Sequence, residues 1–196
     1  ESLVYLEGSM IVGDNAQGTL TVPSAGMLLS FDKRNTPPKV EVVGEEPTTA
    51  RGTARVRWTN ELTYERLPGL AWVRGGVKLD HAPIESPDKA ELESEKLVVR
   101  FRDAESMDER GVRMVRGQFL GATANGAVWA RSMGKEITSD QLEYDAAART
   151  IEAIASEGNL AQMFDPKNPT PMTARRIFWD LSKDRVEIKD AGTITI

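Results

Sequence analysis

The chain has 196 residues, a net charge of −5 and 40% hydrophobic residues. That length gives one long domain or two small ones, and scattered Lys and Arg exclude the clustered basic face that nucleic acid requires. The absence of cysteine excludes a disulfide framework, thiolate zinc and a cysteine nucleophile, and no run approaches the roughly 18 apolar residues of a membrane helix.

The chain opens in strand-like sequence, Leu3-Val4-Tyr5-Leu6, with no basic-then-apolar leader before it. It closes in another strand, Thr193-Ile194-Thr195-Ile196, so it reads as a processed or trimmed piece. Val4 and Leu6 stand in the first of these strands, and Ile194 and Ile196 in the last. Between the ends, period-two alternation dominates, as in Leu97, Val99 and Phe101 against Val98 and Arg100. Turns are expected at Asp14-Asn15, Pro37-Pro38, Pro68-Gly69 and Ser86-Pro87-Asp88, and the run 165–171 is expected to be the longest loop. Helix competes only at 140–155, where a turn over Ala146-Ala147-Ala148 is the better reading, and at 103–111, read as one helical turn or an exposed loop.

A phrase recurs along the chain: a strand with an aromatic, an acid, a polar turn, a second strand. It reads Leu62-Thr63-Tyr64-Glu65 then Leu70 and Trp72; Leu142-Glu143-Tyr144-Asp145 then Ile151; Ile177-Phe178-Trp179-Asp180 then Val186 and Ile188. Glycines near 8, 44, 75, 117, 158 and 192 pace the copies. A unit of this kind buries its apolar face only against its neighbours, so the expectation is one elongated all-β domain over 1–196 with little helix.

Catalytic patterns are weak. His81, the only histidine, reads as an exposed turn residue before it reads as the base of a nucleophilic triad. Glu91, Glu93 and Glu95 alternate along one strand and read as a solvated outer face rather than a glycosidase pair. The acids at 103, 105 and 108 lack the glycine and terminal glutamate of a calcium loop. Trp58, Trp72, Trp129 and Trp179 read as packing residues before sugar platforms. No catalytic residue, metal or cofactor is expected. What remains is an apolar interior lined by Leu62, Tyr64, Trp72, Leu79, Leu97, Val99, Phe101, Leu142, Tyr144, Ile151, Ile177, Trp179, Val186 and Ile188. Leu70 and Leu160 are expected to face the same way. Burial of alkyl chain gains about 0.8 kcal/mol per methylene, so a twelve-carbon chain in such a seam would gain on the order of 10 kcal/mol before binding costs.

The stretch Ile137-Thr138-Ser139-Asp140-Gln141-Leu142-Glu143-Tyr144-Asp145 resembles the A-D-x-L-x-Y-D phrase of the OstA-like lipopolysaccharide-transport proteins, and Ile151-Glu152-Ala153 to Gly158-Asn159-Leu160 resembles its continuation. The segment from Met172 to Asp180 is a second match, with Arg175 where that family commonly has aspartate. The resemblance implies an open antiparallel β-jelly roll whose apolar cleft, between strand layers, takes the acyl chains of lipopolysaccharide or a similar amphiphilic lipid. It also implies a periplasmic location, any membrane anchor lying in a segment absent from this chain, and end-to-end strand addition to other jelly-roll modules, for which the strands holding Val4, Leu6, Ile194 and Ile196 are the candidate edges. Two other readings stand beside it: an assembly module with a filled core that docks partners through its strand edges, and a carbohydrate-active β-domain.

Overall fold

The computed structural model describes residues 2–32, 52–84, 87–107 and 113–190. The expected turn at Pro37-Pro38, the glycines at 44 and 192, and the edge residues Ile194 and Ile196 lie outside the described residues. Fifteen strands follow in chain order. They are β1 (Ser2–Gly8), β2 (Val12–Asp14), β3 (Thr19–Val22), β4 (Gly26–Asp32), β5 (Gly52–Trp58), β6 (Glu61–Glu65) and β7 (Leu70–Pro83). Then come β8 (Ala90–Met107), β9 (Arg113–Ser132), β10 (Lys135–Asp145), β11 (Thr150–Ile154), β12 (Ala161–Asp165), β13 (Asn168–Ala174), β14 (Arg176–Asp180) and β15 (Arg185–Lys189). No helix occurs among the described residues, every pairing is antiparallel, and the sheet does not close on itself.

The recurring phrase is a hairpin. Glu65 pairs with Leu70, Asp145 with Thr150 and Asp180 with Arg185, each across four turn residues. A further copy, Asp14 paired with Thr19, joins β2 to β3. The fourth turn residue is left-handed in all four: Gly18 (φ 66°), Gly69 (φ 77°), Arg149 (φ 53°) and Asp184 (φ 50°). Where the entry residue is aspartate its carboxylate holds the turn, Asp14 Oδ1 accepting from the Ala16 and Gln17 N–H at 2.9 and 3.0 Å. Asp145 Oδ1 accepts from Ala148 N–H at 2.9 Å, and Asp180 Oδ1 from Ser182 N–H at 2.9 Å. This is the Asx-turn chemistry that favours the residue at such corners. The alanine run 146–148 is thus a turn. The glycine spacing, by contrast, marks no structural period: Gly8 ends β1, Gly75 sits at a register shift, Gly117 is inside β9 and Gly158 is in a turn.

Four strands, β7 to β10, run the length of the body and are broken along one line. The register shifts between Arg74 and Val77, between Glu93 and Lys96, and between Ser139 and Gln141. Gly75 and Gly76 (φ 83° and 52°) and Gly126 (φ 80°) supply the left-handed backbone that such bulges need. Two buried serines satisfy carbonyls there: Ser94 Oγ donates to Lys96 O at 3.1 Å and Ser139 Oγ to Gln141 O at 2.8 Å. This crease divides the sheet into a β1 half (β1, β4, β5, β12, β13 and the adjoining ends of the long strands) and a β15 half (β2, β3, β6, β11, β14, β15 and their other ends). One hydrophobic cluster joins the inner faces of both halves. At Gly26 an added Cβ would lie 2.6 Å from the Trp58 ring and 2.4 Å from the Glu7 carbonyl, so only glycine allows the close packing at that end.

Several expectations are corrected. The run 165–171 is a tight hairpin: β12 and β13 pair through Asp165 and Asn168, and Pro169 and Pro171 lie on β13, which pairs only with β12. An edge strand is where the sheet tolerates a missing N–H. Residues 103–107 continue β8 and pair with β9 instead of forming a helical turn or loop, and the rest of that segment, 108–111, lies outside the described residues. His81 is on β7, paired with Ala54 and Ala90, and not in a turn.

Candidate functional site: the inner face of the folded sheet

Register carries the inward side chains across the sheet in rows. In the β15 half, the row beside the crease runs Val22, Leu62, Val73, Leu97, Ala124, Leu142, Ala153, Ile177, Ile188, each paired with the next. The second row, farther from the crease, runs Leu20, Tyr64, Ala71, Val99, Ala122, Tyr144, Ile151, Trp179, Val186. In the β1 half the corresponding row is Leu6, Leu28, Val56, Leu79, Leu92, Ala130, Ile137, Met163, Met172. A strand's side chains alternate between faces, so each row lies on one side of the sheet by construction.

Burial grades outward from the crease. The first row is sealed from Val22 to Ile177, and only its edge member Ile188 is exposed. Next to it in the β1 half, Trp58, Val77, Val128, Ala161 and Ala174 are also buried, with the Trp58 indole N–H donating to Ser24 O at 2.8 Å. Away from the crease, Leu20, Tyr64, Val99, Ala122, Tyr144 and Val186 are half-buried, as are Leu6, Leu28, Val56, Leu79 and Leu92 opposite. The same outer rows also hold sealed members, Ala71, Ile151 and Trp179 in the β15 half and Ile137 and Met163 in the β1 half, so the mouth of the folded sheet is formed by the half-buried members alone. Four rings line its β15 rim: Tyr64 to Phe101 at 6.3 Å, Phe101 to Phe119 at 6.2 Å and Phe119 to Tyr144 at 5.9 Å. Burial raises the Tyr144 hydroxyl above its ordinary pKa, while Arg149 lowers and Asp145 raises it by smaller amounts. The phenol therefore stays neutral.

The structure brings thirteen of the fourteen expected interior residues onto the inner face and one to the outside. Trp72 is the exception: its neighbours Ala71 and Val73 are the buried ones, and Trp72 pairs across the outer face with Thr63 and Val98. Leu70 shares that outer parity, and Leu160 is exposed outside any strand. A shallow depression of about 260 Å³ lies around Trp72, Arg74, Lys96 and Val98. Trp129 is outward too, with the Arg131 guanidinium 5.6 Å from its ring. Only Trp58 and Trp179 are core residues. Glu91 and Glu93 lie outside as partners of Arg131 and Lys78. Of the edge residues, Val4 is exposed, whereas Leu6 begins the inward row of the β1 half.

Two residues of this face escaped sequence reading. Phe119 precedes the irregular pairing of 100–101 with 119–121, which hides its parity. Lys135 sits between Gly134 and Glu136 like a turn lysine, yet its side chain is 4% exposed. Its ammonium donates to Asp184 Oδ1 at 2.5 Å, lies 3.5 Å from Asp165 Oδ2 and stands 5.3 Å from the Trp179 ring centre. Among the described residues no group of three or more His, Asp or Glu is placed to hold a metal.

No family model and no curated protein matches the sequence. Among solved structures, similarity is found to the crystal structure of LptH from Pseudomonas aeruginosa, the LptA homologous periplasmic component of the conserved lipopolysaccharide transport device. The match covers 88% of this chain and 94% of that one, at 10% identity and a TM-score of 0.50. At that identity the likeness is one of fold: this chain is an all-β protein with an open antiparallel jelly roll of the kind that transport component has.

Proposed function

We propose that this protein is a non-catalytic lipid-binding and transfer module, a single domain over 1–196, that holds acyl chains against the half-buried inward rows. The observation that supports this most is the change of burial along one continuous apolar face: a sealed seam at the crease, and beyond it Tyr64, Val99, Tyr144, Leu79 and Leu92 only half-buried. The ligand class is an amphiphile with long alkyl chains, and the fold likeness favours lipopolysaccharide and a periplasmic setting. The open edge at β1, where Leu3, Val4 and Tyr5 are all exposed, is suited to strand addition by another jelly-roll module.

Neighbouring residues on opposite faces provide the test. A photocrosslinking amino acid at Val99 should capture lipid in cells, and the same residue at Val98, one position along β8 but outward, should not. Equal capture at both positions, or none at Val99 in a folded variant, would overturn the proposal. The second reading, an assembly module with a filled core, draws on the sealed crease rows and the exposed β1 edge. It predicts concentration-dependent oligomers with no copurifying lipid in native mass spectra.

A further inference from the structure

Among the described residues, Lys135 is the only charged side chain in the buried set. A buried ammonium is costly unless its donors are used. Lys135 stands on the inner face of β10, two residues before Ile137, and its ammonium points to the far end of the second row of the β15 half, where Trp179 lies. Two donors meet on one oxygen there: Lys135 Nζ at 2.5 Å and Trp179 Nε1 at 3.2 Å from Asp184 Oδ1. The donors belong to buried residues held by pairing on both sides of β10 and β14. The acceptor belongs to an exposed turn: Asp184 has a side chain 38% exposed, and among the described residues its hairpin is the margin of the sheet, β15 pairing only with β14.

We propose that Lys135 and Trp179 form a binding site for the anionic headgroup of an amphiphile, a site that the protein's own Asp184 carboxylate fills until the β14–β15 turn moves aside. This rests on the acyl-binding reading above and extends it from tail to head. An alkyl tail running from such a headgroup would lie along Ile151 and Tyr144, the next members of the same row. Asp165 stays beside the ammonium when Asp184 leaves, because β12 pairs directly with β10. An ammonium has three donors, enough for Asp165 and an incoming anion together. The Lys135 hydrogen bond is the largest of the influences holding the Asp184 carboxyl below its ordinary pKa, so near neutral pH the exchange is one anion for another.

The test is titration calorimetry of the intact chain with dodecyl phosphate, dodecanoate and dodecanol, each below its micelle concentration. Asp184→Asn removes the competing charge, and it should bind both anions about ten-fold tighter than wild type, the scale of one charge-assisted hydrogen bond, with dodecanol little changed. Whichever anion gains more assigns the headgroup, phosphate or carboxylate. Lys135→Met, in which an apolar side chain of similar length covers Trp179, should bind dodecanol as wild type does and lose any preference for the anions. If Asp184→Asn gains nothing for the anions, or Lys135→Met keeps their advantage, the headgroup site is overturned while tail binding stands. If none of the three ligands binds any folded variant, the acyl-binding reading itself falls.

Discussion

The rows beside the crease and the rows at the mouth are made from similar residues by the same period-two rule, yet they do different work. Beside the crease, Leu62, Leu97, Leu142 and Ile177 are enclosed by both halves of the sheet. At the mouth, Tyr64, Val99 and Tyr144 are only half-buried. What separates them is distance from a line of bulges, where the backbone bends and brings the two inner faces together. Packing at the crease stabilises the fold, and the mouth keeps apolar surface available at little cost in stability.

That contrast is open to direct attack. The largest effect is expected from Ile177→Ala in the sealed row, a loss of about 2–5 kcal/mol in urea unfolding, against about 1 kcal/mol for Val99→Ala at the mouth. Equal losses would erase the distinction. Gly26→Ala should cost about 1–3 kcal/mol, because its methyl group has no room beside Trp58, and thermal unfolding of the variant measures it. Ser139→Ala removes the donor to the Gln141 carbonyl at the bulge and should cost about 1 kcal/mol in the same assay. A neutral result would show that the crease does not depend on its serines.

Smaller effects should come from the turns and the outer face. Asp180 has its pKa lowered from 3.8 to about 2, first by the Ser182 hydroxyl and then by Lys183, and Asp140 and Asp184 are lowered from the same starting value. A depressed folded-state pKa contributes stability that is present above the unfolded value and lost as pH falls through the folded one. The melting temperature should therefore be insensitive to these groups above about pH 5 and fall between the unfolded value of 3.8 and about 2. Asp180→Asn should flatten part of that fall. Least of all, Arg55→Ala breaks an exposed pair with Asp80 at 2.8 Å and should change stability by about 0.2–1 kcal/mol in a double-mutant cycle. A larger coupling would mean that the outer face matters more than its exposure implies.

The hairpins were the most legible part of the chain. An acid, four turn residues and a returning strand are contiguous, so the signal at Glu65, Asp145 and Asp180 is complete in sequence. At Asp14 the turn was legible but not its kinship with the other hairpins, because β2 is only three residues long and wholly exposed, leaving no alternation to read. Trp72 was misplaced for a different reason. Size suggested that Leu70 and Trp72 face inward, but Val73 is the residue registered between Leu62 and Leu97, and small Ala71 belongs with it. The prolines at 169 and 171 looked like a loop because an edge strand, lacking a second neighbour, has no demand for their N–H groups. Lys135 left no trace at all, since its partners Asp165 and Asp184 lie 30 and 49 residues away.

The sequence alone determined that the chain is all-β, where its hairpins turn, and which residues of each strand share a side, because alternation and turn chemistry are local. Only the tertiary structure decided which side becomes the interior, where the sheet folds over, and which inward residues are sealed and which stand open at the mouth. Those depend on bulges that reset strand parity and on registers between segments far apart in the chain, and the energy that fixes them is burial between two faces that no single segment contains.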